Sequence, residues 1–94
     1  MRVLGREVLE KFKQDHADVR QQLDAWLQEA KDAHWETRHD IKARYSSVSF
    51  LKENIVIFNI KGNNYRLVTK INFQHQIIKV EKIGTHAEYS KWEW

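Results

Sequence analysis

Ile55–Ile60 (IVIFNI) and Tyr65–Phe73 (YRLVTKINF) decide how this chain folds. Both runs are rich in β-branched and aromatic residues and both alternate, which is the pattern of strands. Gly62 and Asn63, between them, tolerate positive φ, so the pair predicts a tight antiparallel hairpin. With Gly62–Asn63 as the turn, Lys61 faces Asn64, Ile60 faces Tyr65 and Asn59 faces Arg66. Side chains alternate along a strand, so Phe58, Ile60, Tyr65 and Leu67 share one face, which reads as core. Asn59, Arg66 and, further along, Lys70 share the other. Two cations and an amide on one face suit contact with phosphate, and an ordinary solvated face has the same composition.

Working outward, Ile77–Ile83 (IIKVEKI) repeats the strand pattern after a turn at Gln74–Gln76. Upstream the period turns helical. Val8, Leu9 and Phe12 form a stripe in a helix that starts at Arg6. Val19, Leu23, Trp26, Leu27 and Ala30 mark the buried face of a second helix, capped by Asp15 or Asp18 and running to about Ala33. Thr37 and Asp40 predict a capping box for a shorter third helix. Met1–Leu4 reads as a short strand or a fraying end. Helices followed by a meander of strands predict an α+β fold. Two to three N-terminal helices would pack on a small, mainly antiparallel C-terminal sheet that ends in a short helix.

At 94 residues the chain suits one domain, 1–94, burying about two-thirds of its unfolded surface. There is no Cys, which excludes disulfides, zinc ribbons and thiol nucleophiles and fits a cytoplasmic location. No apolar run approaches the roughly 20 residues that span a bilayer. The start, MRVLGREVLE, has no apolar signal-peptide core. The net charge of +3 is unevenly placed: residues 1–47 hold nine Lys/Arg and nine Asp/Glu, residues 48–94 seven and four. A basic C-terminal half suits a polyanionic partner.

Gly84–Tyr89 (GTHAEY) concentrates the chemistry. Thr85 and Glu88 stand in capping-box spacing, which starts a helix at Thr85 and gives Glu88 a structural role. His86 then occupies the first helical position, where exposed N–H groups favour phosphate and a neutral imidazole. A neutral imidazole beside a phosphodiester suits a general base. Tyr89, one turn on, could stack on a base, and Lys91 could add positive charge. Lys61 in the turn and Lys82 on the last strand extend the candidate RNA-binding set of Asn59 and Lys70. Each of these residues also has an ordinary surface or edge role.

The runs GNNYRLV (Gly62–Val68) and GTHAEYSK (Gly84–Lys91) resemble the HigB toxins of bacterial toxin–antitoxin systems, with similarity extending over essentially the whole chain. These toxins belong to a RelE-like group that cleaves messenger RNA, commonly in the ribosomal A site. The resemblance implies that Arg66 contacts the scissile phosphate and His86 supplies another cation. It implies that Tyr89 contacts the nucleotide, although straight counting also allows Trp92. The lysines that RelE carries on a strand are replaced here in the region of Ile57 and Asn59, which moves proton transfer to His86. Partners implied are the ribosome, messenger RNA and a helix-turn-helix antitoxin of HigA type, with a heterotetramer as a possible assembly.

His16, His34, His39 and His75 lack metal-ligand spacing, so neither a metal nor another cofactor is expected. Arg38, His39, Lys42 and Arg44 form a second basic cluster, read as a solvated face or a ribosomal RNA contact. Trp26 and Trp35 read as core, whereas Trp92 and Trp94 need something to cover them. The expected activity is metal-independent RNA cleavage by attack of the 2′-hydroxyl on the adjacent phosphate. The rivals are a ParE-like toxin acting on DNA gyrase and a non-catalytic RNA- or protein-binding module.

Overall fold

The computed structural model describes residues 1–92. Trp94 lies outside them. Five strands form one sheet in the order β1-β5-β4-β3-β2. They are β1 (Arg2–Leu4), β2 (Ser49–Phe50), β3 (Ile55–Ile60), β4 (Tyr65–Asn72) and β5 (Ile77–Thr85). The helices are α1 (Arg6–Asp15), α2 (Arg20–Asp32), α3 (Arg38–Arg44) and a single turn, α4 (His86–Tyr89). All neighbouring strands run antiparallel except β1, which joins β5 in parallel. The fold is therefore α+β, with the helices of the first half against one sheet face.

The core follows from the two periodicities. Leu9, Val19, Leu23, Trp26, Ala30 and Ile41 from the helical half meet Phe58, Leu67, Ile78 and Val80 from the sheet, and all are buried. Each of the larger side chains among them contributes about 1.5–3 kcal/mol by leaving water. Phe58 centres an aromatic cluster, with ring centroids 5.4 Å from Trp26, 5.1 Å from Tyr45 and 6.3 Å from Trp35. Thr69, also buried on this face, donates its hydroxyl to the Val56 carbonyl at 2.8 Å.

The central hairpin has the register expected, with Ile60 opposite Tyr65 and Asn59 opposite Arg66. Its turn differs in one respect. The left-handed residues are Lys61 and Gly62, not Gly62 and Asn63, because the Asn64 N–H closes back onto the Lys61 carbonyl. The capping box of α3 forms as read, with Thr37 accepting from the Asp40 N–H. Asp18 does not cap α2. A 3-10 turn over Ala17–Val19 precedes that helix, and the Asp18 carboxylate accepts instead from the Tyr65 hydroxyl at 2.7 Å and from Lys61 at 3.1 Å.

Two further features position the site. Gly5, at φ +77, turns the chain from β1 into α1 hard against β5, where a Cβ would overlap the Val80 carbonyl. In β5 the register shifts, so that Val68 faces Lys82 while Lys70 faces Lys79. Residues 79 and 82 would point to opposite faces of a regular strand; the bulge turns both to the outer face, away from α1–α3.

Candidate functional site

The outer face begins at Arg66, early in β4 and opposite Gly84 of β5. Its guanidinium donates to the Asn63 carbonyl at 3.0 Å and lies 5.5 Å from the centroid of the Tyr89 ring. That is a cation–π contact worth about 0.5–2 kcal/mol. No carboxylate among the described residues pairs with it, so its remaining donors face outward unneutralised.

α4 exists because of its capping box. The Glu88 N–H donates to the Thr85 hydroxyl at 3.2 Å, and the Thr85 N–H donates to the Glu88 carboxylate at 2.9 Å. The Thr85 N–H, more than any other group, holds the Glu88 carboxyl below its ordinary value. Glu88 is thus a structural acid, as its spacing implies. The His86 N–H donates to the Asn64 carbonyl at 3.0 Å, so the turn that holds Arg66 through Asn63 also holds the start of α4.

This arrangement corrects one expectation. A four-residue turn whose N–H groups at His86 and Glu88 are already paired offers no backbone anion site. What His86 can contribute is its exposed imidazole.

Arg66 and Tyr89 therefore lie together, and His86 is tied to the same turn through its backbone N–H. Lys91 follows α4, exposed, with its charge close enough to favour the Glu88 carboxylate. Lys82 and Trp92 form a second layer: the ammonium is 5.3 Å from the indole centroid, and the indole meets Tyr89 edge-on at 5.7 Å. The same indole covers Gly84, where a Cβ would stand 2.8 Å from it. Trp92 is covered by this sheet face.

Lys70 is exposed farther along the face, opposite Lys79. Asn59 stays opposite Arg66, but its amide donates to the Ser47 carbonyl at 3.1 Å and anchors the loop before β2. Lys61 is drawn away to Asp18, whose backbone carbonyl and carboxylate both accept from it. Of the second basic cluster, Arg44 pairs with Glu29, and Arg38 lies over the Phe50 ring.

Two clefts open on the outer face. One of about 540 Å³ is lined by Leu51, Lys52, Glu53, Ile55 and Tyr89. Another of about 620 Å³ includes Glu53, Asn54, Lys70, Asn72 and Lys79 in its lining. Glu53, shared by both, and Lys79 carry no sequence signal of their own. They reach the site through a turn at Lys52–Asn54 and through the bulge in β5. No group of three or more His, Asp or Glu among the described residues is placed to hold a metal ion, and no described helix is long and apolar enough to cross a membrane.

Residues 19–92 match the family described as HigB_toxin, RelE-like toxic component of a toxin–antitoxin system. No curated protein shows significant similarity to the chain. The family match takes in Arg66, His86, Tyr89, Lys82, Lys91 and the Lys52–Asn54 turn, and it leaves β1 and α1 outside, which narrows the whole-chain similarity expected. With the match spanning most of its length, the chain belongs to the HigB toxins, the RelE-like toxic components of toxin–antitoxin systems.

Proposed function

We propose that this toxin is a metal-independent endoribonuclease that cuts messenger RNA during translation. The carrying observation is Arg66: a guanidinium on the outer sheet face, steered by Asn63 and Tyr89, with no carboxylate among the described residues to neutralise it. Such a fork suits a phosphodiester.

The ribose 2′-hydroxyl attacks the adjacent phosphorus, and the P–O5′ bond breaks to leave a 2′,3′-cyclic phosphate and a 5′-hydroxyl. The His86 imidazole takes the 2′-hydroxyl proton, and water protonates the 5′ oxygen as it departs. Arg66, with Lys91 adding positive charge, stabilises the pentavalent phosphate. Tyr89 stacks against the nucleotide being cut. Dependence on the ribosome fits a site without a complete acid–base pair assembled among the described residues, because positioning of the message then supplies much of the rate. As the toxic component of a toxin–antitoxin system the protein has an antitoxin partner. We take that partner to be of the HigA helix-turn-helix type, to act in the cytoplasm, and to bind in a heterotetramer.

The test is to express the chain and map 5′ ends in a translated message. Cuts are expected within coding sequence, lost in Arg66→Ala and reduced at least about a hundredfold in His86→Ala. Full toxicity of His86→Ala removes the imidazole from the mechanism. Toxicity with intact message and broken DNA supports the gyrase reading instead.

A further inference from the structure

Building on the ribonuclease reading, we infer that the cleft between the Lys52–Asn54 turn and Tyr89 is a nucleobase subsite, in which Glu53 selects bases that carry an exocyclic amino group. The cleft has the parts of a single-stranded base pocket. Tyr89 supplies an aromatic face, Leu51 and Ile55 supply apolar lining, and its volume of about 540 Å³ leaves ample room for one base. Arg66 stands on the Tyr89 ring, so a nucleotide stacked on that ring presents its phosphate to the guanidinium.

The polar lining is Lys52 and Glu53, both exposed and neither in an ion pair among the described residues. An ionised carboxylate only accepts hydrogen bonds. It can take them from the amino groups of adenine, cytosine or guanine, whereas uracil offers a single N3–H set between two carbonyl oxygens that the carboxylate repels.

The backbone adds a second observation. Glu53 and Asn54 both adopt left-handed φ of 61°, a conformation that Asn tolerates readily and Glu adopts at a cost. The chain takes that conformation at the residue that lines both clefts. The bend is closed by the Leu51 N–H donating to the Ile55 carbonyl at 2.8 Å, which fixes Glu53 as a wall.

Beyond that wall, Lys70 and Lys79 face each other directly across β4 and β5 on one sheet face. Lys79 has only a 4.0 Å approach to Glu81 in compensation. Like charges in this register destabilise a sheet until an anion bridges them. A phosphate farther along the same RNA strand is that anion, and the strand runs from Arg66 past Glu53 to the two lysines.

The experiment uses the full chain and four labelled 2′-O-methyl trinucleotides that differ only in the central base, with binding read by fluorescence anisotropy. The 2′-O-methyl group blocks attack, so the readout is independent of cleavage. Adenine, cytosine and guanine are expected to bind about tenfold tighter than uracil. Glu53→Gly keeps the left-handed backbone while removing the side chain, and should bring all four within twofold. Glu53→Gln keeps an acceptor and adds a donor, so uracil should gain. Lys70→Ala and Lys79→Ala should weaken all four alike and lower the salt dependence. Equal binding of the four bases by the unaltered protein overturns the proposal, as does an absence of binding. Discrimination that survives in both folded Glu53 variants also overturns it. Base discrimination without any cut in a translated message would refute the nuclease reading and leave the subsite standing; unbiased binding with cuts does the reverse.

Discussion

Gly5→Ala, paired with Gly62→Ala, separates two contributions that a glycine can make. Both residues are left-handed, at φ +77 and +66. An L-residue in that region costs roughly 1–2 kcal/mol, and this applies at both sites. The small gain from restricting the unfolded chain, about 0.4–1 kcal/mol, also applies at both and cancels in the comparison. The surroundings differ. At Gly62 nothing lies within 4 Å of an added Cβ. At Gly5 the Cβ would sit 3.2 Å from the Val80 nitrogen and closer still to the Val80 carbonyl oxygen, which is backbone in the middle of β5. Overpacking of this kind adds about 1–3 kcal/mol. Gly5→Ala should therefore cost about 1–3 kcal/mol more than Gly62→Ala, and about 1–4.5 kcal/mol in all, against a total stability on the order of 5–15 kcal/mol.

The assay is urea and thermal unfolding followed by tryptophan fluorescence and circular dichroism. In a domain of this length the extra cost lowers Tm by roughly 5–25 °C more in Gly5→Ala than in Gly62→Ala. Equal losses for the two variants would refute the close approach of Gly5 to Val80, and with it the docking of the β1–α1 corner on β5.

The remaining predictions are shorter. Lys61→Ala should leave oligonucleotide affinity unchanged, because Asp18 already holds that ammonium, whereas Lys70→Ala should reduce the salt slope of binding by about 0.7; anisotropy titrations at several salt concentrations decide both. The Glu88 carboxyl is held below its ordinary value by the Thr85 N–H, and that of Asp18 by the Tyr65 hydroxyl and then Lys61. A carboxyl lowered on folding stabilises above its unfolded pKa and loses that contribution as pH falls through the folded one, so urea midpoints should drop from about pH 5 toward pH 3 and flatten in Glu88→Gln. Thr69→Val keeps shape but removes the buried hydroxyl that donates to Val56, and should cost about 1 kcal/mol in denaturant unfolding.

The parts of the fold that could be read in advance are those where many residues repeat one message. Three strands of six to nine residues alternate, and two capping boxes announce helix starts within four residues of sequence. β1 and β2, at three and two residues, are too short to show a period, and their pairing is a tertiary matter. Asp18 looks like a cap, but a partner 47 positions away, Tyr65, offers it a better bond. The same kind of long-range competition removes Lys61 from the site. Arg66 and Tyr89 were legible together because a hairpin register and a capped turn constrain both locally. Glu53 was not, since its place depends on two left-handed residues in a short turn that no propensity marks, and Lys79 needs a bulge to face the way it does.

The parallel pairing of β1 with β5 bears on when the protein acquires its site. Arg2 lies opposite Ile77, so β1 waits for a partner made 75 residues later. At a synthesis rate of roughly 5–20 residues per second that wait lasts several seconds. During it the β3–β4 hairpin carries Arg66 without the β5 neighbour or the Tyr89 ring that steer it. Because β1 and the β1–α1 corner pair with β5 across this sequence separation, closure of the sheet is a late event in folding. Arginine and tyrosine meet only once the chain is made through Tyr89, and a nascent or truncated toxin has no assembled site.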